Sequence, residues 1–307
     1  MILIITHKED FTADFVIEKL NKRNIKYFRL NCEDIHTDIY NFENENDFHF
    51  NINGISNFTS VWFRRTKLPE IISNNEAEKL YLLSDYETLF DNIYNLIDTE
   101  KWLSNPQYIF KAENKLLQLK IAKSIGFIIP QTLITNSHKK LKSFIDKFQN
   151  NIIIKPIRQG RIRQKEGFET IFTNKLSLDN IKTINEFDLT PCIFQEYVDK
   201  EYEIRVTVIG EKVFSAKINS QISNETKIDW RKEKMPFEKY ELPKDISEKC
   251  ILITKKLQLS FGAIDLIKKL NGEYVFLEIN PNGQWAWLET ELDLKISDEI
   301  INYLTLK

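Results

Sequence analysis

Cysteine, histidine and glycine are scarce: the 307 residues include 3 Cys, 4 His and 8 Gly. Cys32, Cys192 and Cys250 are odd in number, far apart and without CxxC spacing. That pattern excludes a disulfide framework and a thiolate metal site, and reads as buried reduced thiols. His7, His36, His49 and His138 have no mutual spacing suited to zinc or to a catalytic triad. An excess of one charge sign is also missing. Lys+Arg 43 against Asp+Glu 45 gives a net charge of -2, so no basic field points to nucleic acid. Long apolar runs are absent as well. The N-terminal "MILIITHKEDF" returns to charge after four aliphatics, too soon for a signal peptide or a membrane span, and reads as a first buried strand. These absences together predict a cytoplasmic protein that does not engage membranes. There is no internal repeat, no low-complexity linker and no GxxxxGK[ST] phosphate loop.

What is present is the balance of a soluble globular chain, 42% hydrophobic and 29% charged, long enough for two or three domains. The pattern predicts an α/β unit first: a strand at 2–6, a helix near 11–23, a strand at 26–30, a hairpin turning at Asn53-Gly54, a strand at 61–65 and a helical stretch over 76–103. A helix over "KAENKLLQLKIAKSIG" follows, ending at Gly126, then a short strand "FIIP" and a polar helix near 137–148. From about 190 come "FQEYV", a strand-hairpin-strand "EYEIRVTVIGEKVFSAKI", a charged loop, a helix near 245–259 and two strands about Asn271-Gly272. Without linkers the segments must pack closely, with a cleft between them as the natural ligand site.

The chemistry concentrates in a few places. In "YVFLEINPNG" Glu278 and Asn280 are two residues apart on a strand, so they share a face about 6–7 Å apart. "FGAIDLI" contributes Asp265, and the Asn271-Gly272 turn pairs the two strands antiparallel. Three hard oxygen ligands then meet on one patch, a set that suits Mg²⁺ bridging nucleotide phosphates. "IIIKP" ends a buried strand in Lys155, with Pro156 stopping it. Arg158, Arg161, Arg163 and Lys165 follow, bracketed by Gly160 and Gly167, as a basic glycine-hinged loop able to close over polyphosphate. Glu201, Glu203, Arg205 and Thr207 share one strand face, where a cross-strand charge pair and a ligand role are equally open readings.

The set "NK…IIKP…QEYV…EIR…GAID…EINP" resembles the ATP-grasp ligases over nearly the whole chain. That resemblance implies an α/β fold of α+β lobes: an N-terminal α/β domain (1–108), a central lid domain (109–190) and a C-terminal ATP-binding domain (191–307). It implies that Lys115 and Lys155 contact ATP phosphates, that Glu196, Tyr197 and Val198 meet adenine through backbone groups, and that Glu203 binds ribose. It further implies that Arg205 reaches the transferred phosphoryl group and that Asp265, Glu278 and Asn280 hold Mg²⁺. The loop at 158–167 departs from the family in being basic rather than glycine-rich. "VWFRR", "DWR" at 229–231 and "GEYVFLEINPNGQWAWLE" are similar to blocks of the graspetide, or microviridin-type, macrocyclases. This finer resemblance implies activation of Asp or Glu side chains of a ribosomal precursor peptide as acyl phosphates, then ester or amide closure by Thr, Ser or Lys. Arg64, Arg65, Arg158 and Arg231 become candidates for receiving the peptide's carboxylates, with ion pairing between domains as the bland reading of Arg64 and Arg65. The resemblance also implies homodimerisation and a leader helix docked near the Gly210 hairpin and residues 216–232. The rival expectations are a ligase that adds a free amino acid to a peptide or metabolite, and a non-catalytic nucleotide-binding protein.

Overall fold

Strand Ile2–Thr6 is buried along its whole length and sits between two parallel neighbours, Tyr27–Asn31 and Ser60–Phe63. A near-continuous apolar run is what a strand covered on both faces requires. The computed structural model describes residues 1–44, 48–158, 161–163, 168–182 and 191–306. Trp102–Leu103 completes this N-terminal parallel sheet. Helix Phe11–Lys22 begins at Asp10, whose carboxylate accepts the Thr12 and Ala13 N–H groups, satisfying two of the donors a helix start leaves free.

Four local expectations need correcting. Asn53-Gly54 does turn with positive φ at both residues (50° and 73°), but the strand before it, His49–Ile52, pairs backwards with Tyr40–Glu43. The Asn53 side chain explains this: it accepts the Ile39 N–H at 2.9 Å and donates to Asp38, tying the turn to the incoming strand. The helical stretch stops at Leu96, where Ile97 turns extended, and residues 102–103 join the sheet instead. The helix expected over 111–126 is two helices, Pro106–Ala112 and Lys115–Ser124, because Asn114 leaves helical geometry to cap the second through the Leu117 N–H. "FIIP" forms no strand, only a single bridge from Ile128 to Val275.

A second, antiparallel sheet runs in the order Asn174–Lys175, Ile152–Pro156, Cys192–Glu196, Thr132–Leu133. Its small core of Leu141, Ile145, Ile152 and Phe194 is covered by helix His138–Lys147. The third sheet is antiparallel and five-stranded: Glu238–Lys239, Lys212–Ile218, Tyr202–Ile209, Phe261–Lys268, Tyr274–Asn280. Ile204, Val206 and Val208 alternate into a core continuous with Leu3, Ile5 and Val61 of the N-terminal sheet, so these two sheets share one interior. Helix Ile296–Thr305 adds a second link, and the Ser60 hydroxyl donates to the Leu304 carbonyl at 2.8 Å. All three cysteines are free thiols; Cys32 and Cys250 are buried as expected, while Cys192 is only half-buried. Among the described residues no helix is long and apolar enough to cross a membrane.

Candidate active site

A row of charged side chains is written in strand register. Arg205 lies opposite Asp265, and Asp265 lies opposite Glu278, so three adjacent strands carry the three side chains in line. A bulge leaves Leu277 without a partner between the Asp265–Glu278 and Leu266–Phe276 pairs, which aims Glu278 at Asp265 despite the strand's alternation. Arg205 Nη1 donates to both Asp265 oxygens at 2.9 Å. Asn280 Nδ2 lies 3.3 Å from Asp265 Oδ2 and 3.4 Å from Glu278 Oε1. The three side chains expected from sequence therefore converge, with Asn280 turning its amide nitrogen toward both carboxylates.

Opposite charge arrives from two other elements. Gln118, buried in helix Lys115–Ser124, donates to the Ala112 and Ile279 carbonyls and accepts the Ile279 N–H, clamping that helix onto the strand that carries Glu278. The clamp sets Lys115, the helix's first residue, with Nζ 3.2 Å from Glu278 Oε2. Lys155 faces the same space from strand Ile152–Pro156 of the second sheet. Burial would raise the Glu278 carboxyl, but Lys115, Lys155 and Arg231 together hold it down at about 2. Lys155 is lowered to about 8, chiefly by burial, with Lys115 and Arg231 repelling it and Glu278 and Asp265 opposing the drop. Asp265 is raised by burial and by the neighbouring Glu278 against the pull of Arg205. Such a cluster of perturbed groups in one cleft marks it as the candidate site.

The cleft, about 400 Å³, runs between the second and third sheets. Glu196, which ends strand Cys192–Glu196, and Tyr197 and Val198 after it also line the cleft. The Glu196 N–H is taken by the Gln131 carbonyl and the Tyr197 N–H by Asn151, both at 3.0 Å, whereas the Val198 N–H makes no hydrogen bond among the described residues. Glu203 shares the Arg205 face and is raised by burial, although Lys200 Nζ sits 2.7 Å away and opposes the rise. Lys200 is a buried cleft residue that sequence reasoning passed over; its signal was the spacing of three to Glu203, easily read as a surface pair. Gln284 was also missed, although it lies inside the quoted block "GEYVFLEINPNGQWAWLE". Trp285 is wholly buried, and Trp287 packs with Trp230 and Phe237 at the cleft wall.

The arginines divide. Arg231 lines the cleft, pinned to the buried Asp229 through Nε at 2.8 Å and Nη2 at 2.5 Å. Arg65 and Arg158 line it too, Arg158 exposed. Arg64 departs from expectation: it is 1% exposed and forked onto Asp10 at 3.1 Å through Nε and Nη2, so the carboxylate it receives is the protein's own. Its ion pair is moreover within the N-terminal unit rather than between domains. Of the basic loop, Arg161 and Arg163 lie on a short strand paired with Phe168–Thr170, while Gly160, Lys165 and Gly167 lie outside the described residues.

Residues 112–304 match the RimK-like ATP-grasp domain and residues 1–109 match the MvdD pre-ATP grasp domain. The chain belongs to the RimK-like ATP-grasp family. ATP is accordingly its cosubstrate, and its reaction class is ATP-dependent carboxylate ligation. The ATP-grasp architecture extends to whole solved chains. The macrocyclase MdnC of Microcystis aeruginosa MRC, solved with its precursor peptide MdnA, is 28% identical with a TM-score of 0.85 over 99% of both chains. A RiPP-associated ATP-grasp ligase of Chryseobacterium gregarium, solved with ADP and a leader and core peptide, is 27% identical with a TM-score of 0.89 over 99% of this chain and 96% of that one. Among curated proteins, the tetrahydromethanopterin:alpha-L-glutamate ligase of Methanocaldococcus jannaschii is 26% identical over 212 residues, 65% of this chain and 68% of its own.

Proposed function

We propose that the protein is an ATP-dependent macrocyclase of a ribosomal precursor peptide. One observation carries this reading: the likeness to two peptide-bound enzymes spans both the pre-ATP-grasp and ATP-grasp parts, covering 99% of the chain, whereas the glutamate ligase matches 65% of it. Adenine packs against Glu196, Tyr197 and Val198, with the free Val198 N–H as its backbone donor, and Glu203 accepts from ribose hydroxyls. Lys115 and Lys155 neutralise the phosphates. Asp265, Glu278 and Asn280 fit a hard divalent cation by their chemistry: the two carboxylates are register partners on adjacent strands, and the Asn280 carboxamide, whose nitrogen lies within 3.4 Å of each, carries an oxygen as its third donor. Mg²⁺ held there supplies charge neutralisation on the phosphate oxygens.

An Asp or Glu carboxylate of the peptide, steered by Arg231, Arg65 and Arg158, attacks the γ-phosphorus, and the bond to the bridging oxygen breaks to release ADP. Arg205 stabilises charge on the transferred phosphoryl group. A Thr or Ser hydroxyl or a Lys amine then attacks the acyl carbon, and phosphate leaves with the nucleophile's proton. The protein's part is positioning and charge neutralisation, the usual division of labour in phosphoryl transfer.

The division into 1–108, 109–190 and 191–307 belongs to this reading, as do leader docking near residues 216–232 and a cytoplasmic setting that keeps the three thiols reduced. Homodimerisation is supported by helix Glu76–Leu96, which leaves Leu80 and Tyr81 exposed before it reaches the core at Phe90. The test is mass spectrometry of a cognate precursor incubated with enzyme and Mg-ATP. Macrocyclisation removes one water per bond formed; a product heavier by an amino-acid residue favours the free-amino-acid ligase instead.

A further inference from the structure

The chain of contacts that removes Arg64 from the substrate leads to another residue. Asp10 is immobilised by its own helix: Oδ1 accepts the Thr12 and Ala13 N–H groups at 3.1 and 3.4 Å, and Oδ2 accepts the Thr6 hydroxyl at 2.7 Å. Arg64 is forked onto that fixed carboxylate, with both side chains 2% exposed. Arg64 Nη2 also lies 3.5 Å from Gln284 Oε1, and the Thr12 hydroxyl lies 2.5 Å from the same atom. Threonine donates or accepts, but a guanidinium only donates. The atom facing Arg64 is therefore the oxygen of the amide, and the nitrogen is turned away from the N-terminal unit. Among the described residues no protein acceptor takes the Gln284 Nε2 hydrogens. Gln284 lines the cleft together with Arg205, Glu278 and Asn280, and its backbone carbonyl lies 3.4 Å from Arg205 Nη2. The residue is thus anchored by one guanidinium at its side-chain oxygen and by another at its backbone.

The geometry points to Gln284 as a further catalytic residue, whose carboxamide N–H groups bind the carbonyl oxygen of the activated peptide side chain beside Arg205. This assignment rests on the macrocyclase reading and deepens it. When the hydroxyl or amine attacks the acyl carbon, the carbonyl oxygen takes on negative charge. That charge is relieved as the carbon–oxygen bond to phosphate breaks, and hydrogen phosphate carries the proton away. Arg205 has its Nη1 committed to Asp265, so the neutral donors of Gln284, whose backbone carbonyl already touches Arg205 Nη2, supply what the tetrahedral oxygen needs without reorganisation. Asp10, Arg64 and Thr12 are positioning residues in this scheme. They explain why a buried ion pair of the N-terminal unit reaches across to the reaction centre.

Q284E is the informative variant. A carboxylate keeps an oxygen for Arg64 and Thr12 but loses the N–H groups. ATP cleavage with acyl-phosphate formation is read by trapping with hydroxylamine in a single turnover, and ring closure by mass spectrometry in the same samples. Q284E is expected to form trapped acyl phosphate while ring closure slows on the order of 10²- to 10³-fold, with an unchanged melting temperature. The neutral Q284M, which lacks donors and oxygen alike, is expected to slow ring closure to the same degree. Ring closure at the wild-type rate in either folded variant overturns the assignment, as does a parallel loss of acyl phosphate and ring in both. Wild-type enzyme that closes no ring on a cognate precursor overturns the macrocyclase reading as well; a wild-type enzyme that closes rings, with Q284E doing so equally, overturns this assignment alone.

Discussion

Replacing Glu278 by Gln removes a charge and almost no volume, so its consequences are electrostatic. In the wild type, Lys115 at 3.2 Å, Lys155 and Arg231 overcome burial and bring the carboxyl from 4.5 to about 2. At about 1.4 kcal/mol per pH unit that drop is worth on the order of 3 kcal/mol at neutral pH. The group is a depressed carboxylate, so the contribution is complete above pH 4.5 and is lost as pH falls through about 2. E278Q is therefore expected to be less stable than wild type by on the order of 3 kcal/mol at pH 7. The gap should close as both proteins are taken from pH 4.5 toward 2. Urea unfolding followed by tryptophan fluorescence measures it. The variant also takes from Lys155 the strongest neighbour holding its charge, so a lysine already at about 8 falls further. ATP turnover in the presence of precursor should drop by about 10²-fold or more. Unchanged stability at pH 7, or retained turnover, would falsify the assignment of Glu278 as the shared counter-ion of the cationic wall.

Other substitutions probe the surrounding shell. Lys155→Met should abolish nucleotide binding by calorimetry yet raise the stability of the nucleotide-free protein at pH 7. A lysine depressed to about 8 opposes folding until pH rises through 8 toward 10.5, and Glu278 keeps Lys115 as partner. Arg64→Leu strands Asp10 in the interior and should cost about 3–5 kcal/mol in urea unfolding, the price of an unpaired buried charge. Gly283→Ala should lower turnover and destabilise by roughly 1–3 kcal/mol, because a Cβ there meets Ala263 and comes to 2.8 Å from Arg205 Nη2.

The long-range architecture was legible where chemistry and strand periodicity coincided. "GAID" and "EINP" each place a charged residue inside an apolar run, and the Asn271-Gly272 turn joins them as antiparallel neighbours, so the meeting of Asp265 with Glu278 and Asn280 followed from sequence. The register that sets Arg205 opposite Asp265 did not. What failed was local. The Asn53-Gly54 turn forms, but the Asn53 side chain ties it to Asp38 and Ile39, partners fifteen and fourteen residues away that no local turn signal names. Asn114 looked like a residue inside one helix and is a cap that starts another, which is what delivers Lys115 to Glu278. Arg64 and Gln284 were illegible for a different reason. Their partners are Asp10 and Thr12, more than fifty residues away, and no spacing rule connects a helix cap to a guanidinium across a sheet. Lys200 shows the same limit, since its burial against Glu203 comes from the folded cleft and not from their spacing.

A crystal structure with a non-hydrolysable ATP analogue and Mg²⁺ tests the central claim most directly. The account predicts adenine against residues 196–198, phosphates between the Lys115–Lys155 wall and the Asp265–Glu278–Asn280 patch, and metal density on those oxygens. Phosphates bound elsewhere, or metal density with none of the three side chains as ligand, would contradict it.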